Sequence, residues 1–267
     1  MAPSPHAFAR RTVDELTIED ERSFRHVALY ADLKEILSRA KYPFRVLAGA
    51  LEGRADRALL LNLTFWGADA GGDVLDTDTL PADVVAHAAW HHLAVNALPA
   101  AAGEAPSADS LFLGEAIASA FDVYLVGRLL GHAPSSSFLE TQVPAMAEAA
   151  ESAGLDEDGF EKMLESIAAD PERAFSDLRE LLFDATAALF ACRTVEDASV
   201  ALALHDAHRF APLLHRYELS NWVLYARAYG APRADERARS IDATLRGEKL
   251  PLDWLTREWV APALARR

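Results

Sequence analysis

Apolar residues recur every three to four positions through most of the chain after residue 81, and the breaks between runs fall on Gly or Pro. That period predicts helices over about 81–98, 111–130, 138–153, 157–169, 171–192, 195–217, 219–229, 233–246 and 252–265, separated by Gly131, Pro134, Gly154, Pro171, Gly230, Pro232, Gly247 and Pro251. Pro81 and Asp83 suit the first turn of their helix, where a missing N–H is harmless and a negative charge is favourable. One of Ser135, Ser136 and Ser137 is placed to cap the helix that follows them.

The N-terminal part is less regular. Residues 1–10, with Pro3, Pro5 and His6, read as a loose arm. Residues 13–51 are broken but mostly helical in pattern, with Asp14 as a cap, Phe24, Val27, Leu33, Ile36 and Leu37 as a stripe, and Pro43 as an interruption. The run 59–66, closed by Gly67, is the strand candidate, although periodicity alone does not separate so short an apolar run from a helix. The expected architecture is mainly α, with a small β element near 57–66 and a helical C-terminal half. The cluster of Gly, Pro and Ser at 131–137 is a soft boundary between regions 1–133 and 134–267, which can equally form one continuous domain. No fixed-period repeat is present.

Charge and composition narrow the function classes. In 267 residues, 51% hydrophobic and 25% charged, the 41 acidic side chains exceed the 26 basic ones, a net charge of −15. A surface of that sign repels phosphate backbones and anionic lipid, so neither nucleic acid nor a membrane is an expected partner. The single cysteine, Cys192, excludes an internal disulfide and a Cys-rich zinc site. The first 25 residues lack the apolar core of a secretory signal, and no uncharged apolar stretch reaches membrane-spanning length, so a soluble, cytoplasmic chain is expected. The sequence sets no oligomeric state.

Candidate chemistry concentrates on two consecutive predicted helices. His87 and His91, four residues apart, point within about 40° of each other on a helix and can share a metal ion, whereas His92 is turned about 140° from His87. By themselves the two histidines are equally compatible with a structural role. The next helix reads Gly114-Glu115-Ala116-Ile117-Ala118-Ser119-Ala120-Phe121-Asp122, with Glu115, Ser119 and Asp122 on one face. A carboxylate among Ala, Ile and Phe needs a cation or a metal, since burying it alone is costly. Two imidazoles and one carboxylate are a zinc-ligand set that leaves a fourth position open.

These residues resemble the gluzincin metallopeptidases, the thermolysin-like family, whose zinc motif is His-Glu-x-x-His on one helix with a glutamate ligand on a following helix. The family's glutamate helix reads Asn-Glu-Ala-Ile-Ser-Asp; this chain has Gly114-Glu115-Ala116-Ile117-Ala118-Ser119, 24 residues beyond His91, and the likeness spans about 81–125. The resemblance implies a zincin-like metal helix pair, zinc on His87, His91 and Glu115, and hydrolysis of a peptide or protein substrate. It also exposes a departure. The family's general base follows the first histidine, and here that position is Ala88, whose methyl group cannot accept a proton. The chain is then an impaired relative that kept the metal, a form carrying an inactivating substitution, or an enzyme with its base elsewhere. The family's outer aspartate falls on Ser119, and Asp122, a turn further on, is the candidate to orient a ligand imidazole or simply a solvated helix residue.

His205, Asp206, His208 and His215, with Glu218, form a second cluster, and the three histidines share a face if 200–217 is one helix, which Pro212 would kink. A second metal site, an oxyanion-stabilising His208 or His215, and a polar stripe all fit that pattern. Tyr217, Tyr225 and Tyr229 offer the hydroxyl that serves this role in aminopeptidase-like gluzincins, or plain packing. Trp222, Trp254 and Trp259 read as core anchors. The aspartates at 69, 73, 76 and 78 lack EF-hand spacing and read as a solvated turn rather than a calcium loop. Two other functions remain in play: a binding or regulatory protein with a structural metal site, and a helical non-haem iron oxidase. The absence of any Glu-x-x-His weighs against the last.

Overall fold

The computed structural model describes residues 8–62, 73–100, 102–231 and 234–265, and helices dominate them. The N-terminal region departs most from the pattern reading. Residues 1–7 of the expected loose arm lie outside the described residues, and its end belongs to strand β1 (Phe8–Arg11), which pairs antiparallel with β3 (Phe44–Leu47), itself paired in parallel with β4 (Val74–Leu75). A second, two-stranded parallel sheet joins β2 (Thr17–Glu19) to β5 (Thr79–Pro81). The helical part of the stretch 13–51 is limited to a 3-10 turn at Val13–Glu15, the single turn α1 (Glu21–Phe24), the longer α2 (Ala28–Arg39) and another 3-10 turn at Gly49–Leu51. Thr12, not Asp14, precedes the first turn, and its N–H donates to Glu15 at 2.8 Å.

The strand expected near 57–66 is corrected. Residues 59–62 belong to helix α3 (Ala55–Asn62), and 63–66 lie outside the described residues. Leucine favours helix, and only Ala58 of α3 is fully buried, so no two-sided sheet environment selects extended backbone here. Asn62 nevertheless does a strand's work: its amide donates to the Val74 carbonyl at 2.9 Å and accepts from the Val74 N–H at 2.8 Å, closing the free edge of β4.

From residue 82 onward the helices follow the periodicity closely: α4 (Ala82–Ala97), α5 (Ala108–Leu130), α6 (Ser137–Ser152), α7 (Glu157–Ala169) and α8 (Pro171–Ala191). Ser107 caps α5, accepting from the Ser110 N–H at 3.0 Å. The triple serine makes no such bond to α6; the Ser136 hydroxyl donates to Asp20 instead. The single helix expected over 195–217 is overturned. Helix α9 (Val195–Ala203) stops early, turns occupy 204–210, and Ala211–Tyr217 is a 3-10 helix with Pro212 in its first turn. No residue of α9 is buried, while Phe210 and Leu213 are fully buried, so the chain turns to bring them inward. Helices α10 (Leu219–Tyr229), α11 (Glu236–Gly247), α12 (Pro251–Leu255) and α13 (Ala261–Ala265) complete the chain, the last two joined by a π turn at Thr256–Val260.

Helix α5 is the axis. It is long and apolar enough by composition to cross a membrane, and 83% of that apolar window is buried inside the protein. It packs on α4 and α8, and Gly127 allows the α7 end so close that a Cβ there would meet the Ile167 carbonyl at 2.6 Å. Side chains from both sides of residue 133, such as Phe24 and Phe138 with ring centroids 5.7 Å apart, enter one apolar core. Trp259 is buried in it, and Trp222 and Trp254 pack on its margin.

At the start of α8, Glu172 has one carboxylate oxygen buried without a hydrogen-bond partner among the described residues. Burial, then the nearby Asp253, push its pKa from the ordinary 4.5 to about 7, against the pull of Arg128. Between those values the folded chain holds a proton that the unfolded chain has released, so this group's contribution falls as pH rises through the window. Glu172→Gln is expected to match the parent near pH 5 and to exceed it in urea midpoint at pH 8.

Candidate metal centre

Helices α4 and α5 run antiparallel, with His87 opposite Asp122, His91 opposite Glu115 and Ala94 opposite Gly114. The glycine sets the approach: a Cβ at 114 would lie 3.2 Å from the Ala94 Cβ, tighter than ordinary contact. One residue on, Glu115 is delivered to the histidines. The candidate ligand atoms of His87, His91 and Glu115 all fall within 4.8 Å of one another, and this is the one group of three or more such side chains among the described residues. The rings of His87 and His91 are 4.9 Å apart between centroids, and His91 Nε2 lies 3.6 Å from Glu115 Oε2.

Asp122 lies behind this set. Its Oδ2 is 3.2 Å from His87 Nδ1, so a proton on Nδ1 is held by the carboxylate and Nε2 is left as the ligating atom. The other oxygen of Asp122 is buried without a partner among the described residues. Burial opposes charging of His87, but Asp122, then Glu115 and Asp73, overcome it and raise its pKa to about 9. His91 goes the other way, lowered by burial and by the charge on His87 despite Glu115. Near neutral pH the metal-free centre therefore pairs a cationic His87 with a neutral His91.

Each ligand side chain is about one-third exposed, 32% for His87, 33% for His91 and 35% for Glu115, so a bound ion would remain reachable by small molecules. Ala88 is different: it is 2% exposed and belongs to the apolar core. His92 takes no part, its ring lying against Tyr42 and beside Asn96. Ser119 is buried between Glu115 and Asp122 on α5.

The second histidine cluster does not lie on one helix. His208 accepts from the Phe210 N–H at 3.1 Å through Nδ1, is lowered in pKa by burial, and sits in the field of Asp177, Arg209, His205 and Glu180, none of them at the metal centre. His215 is exposed on the 3-10 helix. His208 is thus held among groups outside the His87–His91–Glu115 set. The residue from that segment which does couple to it is Tyr217, whose phenol is raised by burial and by Asp122, against Arg216.

Two aspartates join the site beyond those singled out from sequence. Asp83, one turn before His87, is raised to about 6 by burial and by Asp122. Asp73, just ahead of β4, contributes charge to both histidines. The repeat Asp83, His87, His91 at steps of four was the available signal for Asp83; Asp73 is placed by sheet pairing that no local pattern reveals. Of the acidic loop 67–80, residues 67–72 lie outside the described residues.

No family model matches the chain, and neither a curated protein nor a solved structure matches it. The functional reading therefore rests on these side chains.

Proposed function

We propose that the chain is a zinc-binding relative of the gluzincin metallopeptidases whose peptide hydrolysis is impaired by Ala88. The observation that supports this best is the convergence of His87, His91 and Glu115 within 4.8 Å across an antiparallel helix pair. The donor set fits zinc: two imidazoles and a carboxylate, with an outer carboxylate on one imidazole. When bound, zinc would supply Lewis acidity toward a carbonyl oxygen and toward water. The chain's own residues hold the ligand geometry: Asp122 fixes the His87 tautomer, and Gly114 sets the spacing of the helices. Tyr217 offers a hydroxyl near Asp122 for a developing oxyanion, and Asp73 and Asp83 give the surroundings a negative field that favours a cationic substrate.

Metal analysis after chelation and zinc return tests the reading: one zinc per chain is expected, two irons would favour an oxidase, and no metal would refute it. Because a proton on His87 competes with the ion, zinc affinity is expected to fall by about tenfold for each pH unit below about 9, with release of close to one proton on binding at pH 7.5. Affinity independent of pH between 6 and 9 would remove His87 from the ligand set. Asp122→Asn is expected to weaken zinc binding by about 10–100-fold at pH 9, where that competition has shrunk to about twofold, and to lower the His87 pKa read by NMR. A second reading, a non-enzymatic binding protein stapled by the metal, is favoured by the burial of Ala88 in the core. It predicts no peptide turnover with any residue at position 88.

A further inference from the structure

A cavity of about 420 Å³ opens between α2 and residues 14–25, and none of the candidate ligands His87, His91 and Glu115 lines it. Its volume lies within the ~300–1,000 Å³ range of small-ligand sites. Tyr30, Ala31, Lys34, Glu35 and Ser38 form one wall, a single face of α2. Phe24 meets Tyr30 with ring centroids 5.1 Å apart, and these two buried rings make an apolar floor. That contact places the next residue, Arg25, at the Tyr30 end. At the other end the Ser38 hydroxyl donates to Asp14 at 2.7 Å. Eight residues separate Tyr30 from Ser38, about 12 Å at the helical rise.

Five charged side chains line this trench, and three of them are engaged: Lys34 with Glu21, and Glu35 with Arg39 at 2.7 Å. The two left over have opposite signs and stand at opposite ends. Asp14 accepts only from the Ser38 hydroxyl among the described residues, and Arg25 has no side-chain hydrogen bond or ion pair among them. We infer that the trench binds a short zwitterionic peptide of two to four residues, its terminal ammonium at Asp14 and its terminal carboxylate on Arg25.

The dimensions and charges select this class over its neighbours. Three extended residues span roughly 10 Å, which matches the trench, whereas a single amino acid is too short to reach both ends. A dication meets Arg25 and a dianion meets Asp14, each with a like charge. Guanidinium recognises carboxylate through paired N–H donors.

The experiment is calorimetric titration of the full chain, stripped of metal so that the metal centre neither captures nor cleaves the probe. Trialanine is compared with N-acetyl-trialanine and trialanine amide. Free trialanine is expected to bind, and each capped form to bind at least about tenfold more weakly, the scale of a lost charge-assisted hydrogen bond. Arg25→Ala should erase the preference for the free carboxylate and Arg25→Lys should keep part of it. Asp14→Ala should erase the preference for the free ammonium, while His91→Ala leaves binding unchanged. Absence of saturable binding up to about 10 mM would overturn the proposal. So would equal affinity for free and capped peptides, or binding insensitive to Arg25→Ala. Loss of binding in His91→Ala would move the peptide to the metal centre and overturn it equally.

Discussion

His91→Ala is expected to abolish stoichiometric zinc binding, lowering affinity by more than about 100-fold, since loss of a mere outer-sphere partner already costs about 10–100-fold. Glu115→Ala should do the same. These side chains are about one-third exposed, so the apo variants should fold as the parent does. The parent's urea midpoint should rise with zinc, by about 2.7 kcal/mol of stability when free metal is 100 times Kd, while the variants show no rise. Zinc content unchanged in His91→Ala would refute the site. A variant that loses zinc and also unfolds without metal would show the ion to be a staple between α4 and α5.

The part of the site readable in advance is the part built on long helices. The separation of His87 from His91 is converted to geometry by helical periodicity alone, and Glu115 stands out because its neighbours on α5 are apolar. Asp122 could be placed on the face of Glu115, but its contact with His87 depends on how two helices cross. What escaped was whatever depends on distant partners. Strand β3 spans four residues, and its neighbours β1 and β4 lie more than 25 residues away in either direction, so no local alternation announces the sheet. The end of α9 carries neither Gly nor Pro. The chain leaves the helix because Phe210 must be buried and Arg209 is tied to Asp177 at 2.9 Å. That turn separates His205, His208 and His215 from the common face that a continuous helix would have given them, and brings Tyr217 rather than a histidine into the field of Asp122. Position 88 is the other case. It follows the first ligand histidine, where the resemblance puts a general base, and the structure packs Ala88 in the core.

That burial sharpens the expected effect of Ala88→Glu. A glutamate carboxylate reaches three bonds past the alanine methyl, from a core position beside a solvent-accessible centre. Extra volume in a packed interior costs about 1–3 kcal/mol, so a lowered urea midpoint is expected first. The same surroundings disfavour the charged carboxylate and raise its pKa toward neutrality, where a general base is most effective. The carboxylate would take a proton from the attacking water and return it to the leaving amine, the two transfers that Ala88 leaves without an agent. In the Ala88→Glu variant, turnover of a peptide library is expected to rise by on the order of 10²-fold over the parent at equal zinc occupancy, and the isosteric Ala88→Gln should show no gain. A folded, zinc-loaded Ala88→Glu variant as inactive as the parent would mean that the rest of the machinery is missing too, and that the metal serves binding. Substantial turnover by the Ala88 parent would mean that the base lies elsewhere. Asp83 would then be the first carboxylate to remove, because it stands one turn from His87 with its pKa raised to about 6.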